Sequence, residues 1–503
     1  MTTEREVKLG VWPGFTMPSF DGVAEGAVTE QRPPQRLEAT YYDTPSLALA
    51  RMGVTLRYRT GEDDGDVWTL KLPKGSSRSD GLLARDEIES SAGPKAIPAE
   101  LRDRITAWVR SARVAPVARL QTARERVDIV GDDGKHWAEI VDDEVSVLDG
   151  RHVALRFREV EVELAPDADE AILDELVARL RSAGAGAPDP TPKVIRALGP
   201  RALAPPDLVA SPLPKDPTGG DLVRVGIARS VARIIEHDAG ARAGDDVEDV
   251  HQARVGTRRL RSDLRTLAPL VDDDWRARIE GELTWLGALL GGVRDMDVQG
   301  ARMATSISAI VPGDPAAGGE ILGVMTAQRD RARAALLRGL RSKRYIDLLD
   351  ELVLAATDPR VVPSAAREAD ALAPALARRP WRKLAKAVTR VGADPSDETL
   401  HAIRKRAKRA RYAAEMSALV VGEPATRFAK ALAGVQEVLG EHQDACVQRT
   451  WLRENVGALS PHAALLAGQL VARADHDAAE SRDAWRHAWS HADRGRLHAW
   501  LSH

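Results

Sequence analysis

Charged residues alternate with other residues at every second position along several short stretches of this chain. Glu4, Glu6 and Lys8 do so near the N-terminus. Arg57 with Arg59, Lys71, Arg85 with Glu87 and Glu89, Arg124 with Arg126, and Glu159, Glu161 and Glu163 continue the pattern. In a β-strand, residues i, i+2 and i+4 share a face, so each stretch presents a charged row on one side. Carboxylates hold hard divalent cations such as Mg2+ through oxygen, and Arg and Lys clamp phosphate oxygens. Phosphoryl transfer uses both, because its catalysis is mostly positioning and charge neutralisation. Two arrangements are open. Rows facing solvent make a common antiparallel sheet. Rows facing inward place a polyanion site and a metal site in one cavity, where buried charges must be paired.

The C-terminal half carries a different pattern. His251, Arg254, Arg258 and Arg261 lie at steps 0, 3, 7 and 10. On a helix these fall within roughly 80° of one another, as one basic stripe. His401, Arg404, Lys408 and Arg411 repeat the stripe 150 residues later. Leu290-Gly291, followed by Arg294-Asp295, recurs 149 residues on as Leu439-Gly440 followed by Gln443-Asp444. Two matched motifs at nearly one offset argue for a duplicated helical unit. A single stripe reads as a solvated face; two copies with histidine at the same place favour a polyanion-binding surface. The second copy has Lys405 and Lys408 where the first has Val255 and Arg258. Charge is kept at the latter site and bidentate geometry is lost. These histidines have no second His or Cys at ligand spacing, so zinc is not expected there. Asp295 and Asp444 are expected to orient arginines through ion pairs. Nucleic acid is the rival polyanion, but few aromatics of the stacking kind are interleaved. Trp275, Trp285 and Trp381 read as packing residues.

The elements that must position these groups follow from the same sequence. Ala39–Asp43, Thr55–Arg59, Val67–Leu72, Leu83–Ser90, Arg124–Val130, His136–Val141 and Arg158–Leu164 read as strands separated by Gly- and Asp-rich turns. Helices are expected at Ala99–Ser111 and Ala168–Ala183. Residues 199–220 hold six prolines and read as a semi-stiff linker. From Asp221 onward the pattern is helical, with breaks near Gly240–Asp245, Asp272–Asp274, Val311–Gly319, Asp358–Pro363 and Gly392–Pro395.

At 503 residues the chain is expected to hold two to four domains. Its 72 basic and 75 acidic residues give a net charge of -3, which argues against a general nucleic-acid binder. The single cysteine, Cys446, excludes an intrachain disulfide and a thiolate cluster. No signal peptide or membrane span is expected, so a soluble cytoplasmic protein is the default.

Glu4-x-Glu6-x-Lys8, Tyr41-Tyr42-Asp43-Thr44, Gly53-Val-Thr-Leu-Arg57-Tyr-Arg59, Trp68-Thr-Leu-Lys71 and Glu161-Val-Glu163-Leu164 resemble, in order, the signature of the CYTH superfamily, the triphosphate tunnel metalloenzymes. The histidine repeat resembles the CHAD domain, often found beside CYTH domains. The resemblance implies an α+β multidomain chain: an eight-stranded antiparallel β tunnel over residues 1–200, a linker over 201–220, and an all-α domain over 221–503. The last would comprise two bundles related by a pseudo-two-fold axis, about 221–365 and 366–503. It further implies hydrolysis of inorganic triphosphate or a related compound with Mg2+ or Mn2+. Glu4, Glu6, Glu161 and Glu163 would hold metal, with Glu87, Glu89 and Asp142 as further acids. Lys8, Arg57, Arg59, Lys71, Arg124 or Arg126, and Lys193 would bind phosphates. The helical stripes would bind inorganic polyphosphate, which would allow association with polyphosphate granules. A non-catalytic polyphosphate adaptor and an adenylate cyclase acting on ATP are the alternatives.

Overall fold

The computed structural model describes residues 2–63, 65–73, 83–310 and 315–502, with side chains from Arg5 onward and, in the strand that begins at Leu83, from Arg85. The chain divides into two compact units, Met1–Asp207 and Leu208–His503.

The first unit contains strands β1 (Thr2–Val11), β2 (Ala27–Asp43), β3 (Thr55–Thr60), β4 (Val67–Pro73) and β5 (Leu83–Ser90). Helix α1 (Ala99–Val109) precedes the long strands β6 (Ala115–Gly131), β7 (His136–Asp149) and β8 (His152–Leu164), and α2 (Glu170–Ser182) and α3 (Lys193–Leu198) follow. All neighbouring strands are antiparallel, in the order β1-β5-β4-β3-β2-β6-β7-β8. β1 also pairs with β8, which closes the sheet into a barrel. Closure leaves no unpaired edge.

The two faces of the strands are filled differently. Val7, Leu9, Ile140, Val160, Val162 and Leu164 point outward and are buried under Ile172, Leu173, Leu176 and Leu180 of α2. The Asp169 carboxylate caps α2 by accepting from the Ala171 N–H at 3.0 Å. A second apolar cluster joins Ala39, Tyr41, Leu120, Val145 and Val147 to Val194 and Ile195 of α3. Helix α3 thereby anchors Lys193 at the charged interior.

β2 and β6 are much longer than the alternating segments that the sequence suggests. Pro33-Pro34, which reads as a strand breaker, sits within a register shift between Arg32 and Gln35 in the β2–β6 pairing. A bulge tolerates residues that cannot donate to the ladder.

The second unit is helical: α4 (Gly219–Glu236), α5 (Asp238–Ala243), α6 (Val247–Thr266), α7 (Asp273–Ile310), α8 (Pro315–Leu340), α9 (Lys343–Thr357), α10 (Ala369–Val388), α11 (Asp397–Val421), α12 (Glu423–Asn455), α13 (Pro461–Ala492) and α14 (Gly495–His498). Successive packing repeats across the halves: α4 on α6, α6 on α7 and α7 on α8, then α10 on α11, α11 on α12 and α12 on α13. Equivalent helices also touch each other, α4 with α10, α6 with α11, α7 with α12 and α8 with α13. Self-equivalent contact of this kind is what a two-fold relation between the copies requires. Trp275 and Trp381 are buried, the latter against Phe428 and Trp489, and Trp285 lies beneath Arg344.

Candidate functional site

The charged rows of the first unit face inward. A cavity of about 200 Å³ inside the barrel is lined by Lys8, Arg57, Arg59, Lys71, Glu87, Glu89, Arg124, Arg126, Glu161, Glu163 and Lys193. These strands lie far apart in sequence, and only barrel closure brings them together.

Lys193 is the hub of one side. Its Nζ lies 2.8 Å from Glu159, 2.8 Å from Glu161 and 3.0 Å from Asp143. Arg124 donates two hydrogen bonds to Asp143, at 2.8 and 2.7 Å. Lys8 bonds Glu161 and lies 3.0 Å from Glu6. Burial pushes the Glu161 carboxyl up, but Lys193, Lys8 and Arg124 together hold it well below the usual carboxylate range. Glu6 is held low in the same way by Lys8, Lys71 and Arg85 against its burial. Both acids are therefore anions, which a cation ligand must be. Lys193 is raised well above its ordinary value, since its three carboxylates outweigh burial.

One level along the barrel the acids meet each other. Glu6 of β1 is directly opposite Glu163 of β8, and Glu163 is opposite Glu139 of β7. Like charges in cross-strand register repel unless a cation lies between them. Glu6 Oε1 is buried without a hydrogen-bond partner. An all-oxygen donor set with an open carboxylate oxygen fits a hard divalent ion. Glu4 belongs to the same strand, in register with Arg85, but its side chain lies outside the described residues.

The opposite wall is cationic. Arg57 hydrogen-bonds Tyr41, and Tyr41 and Glu87 raise the Arg57 guanidinium despite burial. Arg59 is pushed down to about 10 by burial and by Arg57. Two acids from the β3–β4 loop reach these cations: Glu62 bonds Arg59, and Asp63 accepts from Arg126 at 2.6 Å. Lys71 Nζ lies 3.6 Å from Glu87.

Asp142 is a correction. It was expected to be a tunnel acid, but strand alternation puts Val141 and Asp143 inside and Asp142 on the outer face. There Arg158 donates to it at 2.8 and 2.6 Å. Asp143 takes the interior place. Glu159 stands in the charged row with Glu161 and Glu163 but outside the expected metal set, and it shares their inward face. Glu139, given no role from the sequence, lies on the inward face of β7 with Asp143, four residues away and so in step at period two.

In the helical unit, α6 and α11 bring both histidine stripes together. Arg254 Nη2 lies 2.8 Å from Asp295 Oδ1, as its expected orienting role requires. A Cβ on Gly291 would lie 3.6 Å from Arg254 Nε, and one on Gly440 would lie 3.5 Å from Arg404 Nη2. Each repeated glycine thus lies beside its repeated arginine, at a distance where a methyl group would make an ordinary contact. The Nδ1 atoms of His251 and His401 and the Nε atoms of Arg254, Arg261 and Arg404 are buried without hydrogen-bond partners, while Arg411 Nε lies 3.2 Å from Glu415 Oε1. Lys408 is pushed down to about 6 by burial and then by Arg258, Arg404, Arg254 and Arg411. Such a cluster is short of negative charge.

The comparisons agree with both halves. A CYTH domain family model matches residues 21–194, and a CHAD domain family model matches residues 226–453. An uncharacterized protein of Mycobacterium tuberculosis, present in two strains, is 36% identical over 475 residues, covering 89% of this chain and 88% of the relative. The chain is a CYTH–CHAD protein. Among solved structures, PptA from Streptomyces chartreusis is 22% identical and covers 55% of the CYTH–CHAD chain and 99% of its own, with a TM-score of 0.47. The CHAD domain from the plant Ricinus communis is 24% identical over 56% of this chain and 95% of its own, with a TM-score of 0.46. The CYTH family includes triphosphatases and its enzymes are metal-dependent. Among the described residues, no helix of the CYTH–CHAD chain is long and apolar enough to cross a membrane.

Proposed function

We propose that the tunnel hydrolyses inorganic triphosphate, or a compound carrying a triphosphate, with Mg2+ or Mn2+, and that the helical unit binds inorganic polyphosphate. The observation that carries this reading is the division of one cavity inside the closed barrel into a cationic wall and a row of opposed carboxylates. Arg57, Arg59, Arg126 and Lys71 bind the phosphate chain, and Lys8, Arg124 and Lys193 continue the cationic lining across the carboxylate side. Glu6 and Glu163, with Glu4 on the same strand as Glu6, hold the divalent ion; Glu161, Glu87 and Glu89 are the neighbouring acids. When bound, that ion supplies charge neutralisation at the phosphate oxygens.

Water attacks the terminal phosphorus in line, the bridging P–O bond breaks, and orthophosphate and diphosphate leave. Glu139, whose carboxyl burial raises, is suited to take the proton that water loses. Lys8 and Arg124 neutralise charge on the oxygens in transit. The polymer site is formed by His251, Arg254, Arg258, Arg261, His401, Arg404, Lys408 and Arg411.

A substrate panel tests the reading: tripolyphosphate, ATP, thiamine triphosphate and long polyphosphate, each with Mg2+ or Mn2+. Phosphate release from at least one triphosphate is expected. Cyclic AMP from ATP would replace this reading with the cyclase. Absent turnover of every compound, with polyphosphate still bound, would leave the adaptor, which the anion-deficient arginine cluster favours.

A further inference from the structure

One cluster of possible metal ligands uses no residue assigned to either site. Asp397 opens α11, while His442 and Cys446 stand four residues apart on α12 and so share a face. His442 Nε2 lies 3.2 Å from Asp397 Oδ1, and Cys446 Sγ lies 3.9 Å from both His442 ring nitrogens. One ligand atom from each residue fits within a 4.8 Å span. Bonds of about 2.0–2.3 Å to oxygen, nitrogen and sulfur in a tetrahedron give ligand edges of roughly 3.3–3.7 Å. The trio already stands close to that spacing. His442 and Cys446 are buried, and the half-buried Asp397 leaves a way in from solvent.

The surroundings suit ligands held in place. Arg449 donates to Asp397 Oδ2 at 2.8 Å and Arg482 bonds Oδ1. Both guanidiniums have a second acid, Asp475 for Arg449 at 2.8 Å and Asp394 for Arg482 at 3.2 Å. The cations on Asp397 are therefore offset, and they act as the outer partners that commonly orient a metal-bound carboxylate. The internal repeat supplies a control. The 150-residue offset of the histidine stripes places Val247 opposite Asp397, and the 149-residue offset of the Leu-Gly motif places Val293 and Asp297 opposite His442 and Cys446. The trio is thus a feature of one copy and no consequence of the shared scaffold.

The geometry points to a site for Zn2+ or a similar soft divalent ion, held by Asp397, neutral His442 and the Cys446 thiolate, with water as the fourth ligand. Binding expels the thiol proton and pins the first turn of α11 to α12. The sulfur ligand separates this site from the all-oxygen tunnel, which takes Mg2+ or Mn2+.

Cobalt is the direct probe, because Cys446 is the sole cysteine in the chain. Any thiolate-to-cobalt charge-transfer band must come from it. The full chain, freed of metal by chelation, is titrated with Co2+ while its absorbance and helical circular dichroism are followed. One equivalent should give that band together with the visible bands of tetrahedral cobalt, and Zn2+ should displace both. Cys446→Ser should lose the charge-transfer band. His442→Ala and Asp397→Asn should each weaken binding by about tenfold or more. A folded chain that gives no band overturns the site. So does a band of unchanged affinity in His442→Ala and Asp397→Asn, which would mean adventitious binding to a lone thiol. If His442→Ala loses its helical signal, Asp397→Asn decides. None of these readouts depends on hydrolysis.

Discussion

The tunnel and the helical cluster are both rich in Arg and Lys, yet their charges are balanced in different ways. In the tunnel, Lys193 contacts three carboxylates, Arg124 and Lys8 are engaged by acids, and the β3–β4 loop places Glu62 and Asp63 on Arg59 and Arg126. In the helical cluster, four arginines crowd Lys408, and the buried Nε atoms of Arg254, Arg261 and Arg404 have no hydrogen-bond partner. A balanced cavity gains little from an anion alone. On the proposed reading it would accept one together with a metal, the metal taking the acids and phosphate the cations. The cluster, on the same reading, would need the anion alone. Metal dependence should therefore belong to the tunnel, and steep salt dependence to the cluster.

The largest effect is expected from removing the hub of the balanced side. Lys193→Met leaves Asp143, Glu159 and Glu161 buried without their shared cation. It should destabilise the first unit by about 3–5 kcal/mol, read as a lowered melting transition. Within the same strand the paired acids should differ sharply. Asp143→Asn should reduce hydrolysis strongly, while Asp142→Asn should affect mainly stability, by about 1–3 kcal/mol, because only Arg158 loses its partner. Equal losses of kcat would contradict the assignment of faces.

Arg57→Ala should lower tripolyphosphate hydrolysis by about 10²–10³-fold, as loss of one charge-stabilising donor does elsewhere. Polyphosphate binding by the helical cluster should not change. Conversely, neutralising Arg254, Arg258, Arg404 and Lys408 together should weaken polyphosphate binding and flatten its salt dependence, with tripolyphosphate turnover intact. Chelation of divalent ions should stop turnover and leave polymer binding in place.

The cluster should also respond to pH. Free Lys408 is largely neutral above its value of about 6. A bound polyanion favours the ammonium form and raises that value, so binding takes up a proton. Affinity should rise as pH falls from about 9 toward 6, at constant ionic strength, and Lys408→Met should reduce that slope. The smallest effect is expected from Glu62→Gln with Asp63→Asn. Freeing Arg59 and Arg126 from the loop acids should lower KM a few-fold, about 1 kcal/mol, since these pairs are partly solvated.

Much of this arrangement could be read from residue order. Period-two charge rows put the charges on one face of each strand, leaving the family resemblance to imply that this face is the inner one, and the 150-residue histidine repeat exposed the duplicated bundle. The interior parity of β7 was harder to read. Asp142, Asp143 and Glu144 are consecutive acids, and the flanking Ile140, Val141 and Val145 are apolar on both faces. One face packs under α2 and the other meets α3, so no polar–apolar alternation marks the interior. Lys193 could be placed on a helix start after Pro192, but its grip on three acids depends on Val194 and Ile195 packing at the barrel. The Asp397–His442–Cys446 cluster was missed because His442 and Cys446 are buried on a helix whose period suggests core, while Asp397 lies 45 residues away from His442 in sequence. The placing of Gly291 beside Arg254 and of Gly440 beside Arg404 likewise depends on contacts between helices.

The central claim is that the tunnel's opposed charges work as one metal-dependent phosphoryl-transfer site. Its most direct test is phosphate release from tripolyphosphate with and without Mg2+ or Mn2+, in the natural chain and in Lys8→Ala. The account predicts turnover that requires the metal and falls by at least about a hundredfold in the variant. Turnover without metal, or undiminished in folded Lys8→Ala, would contradict it.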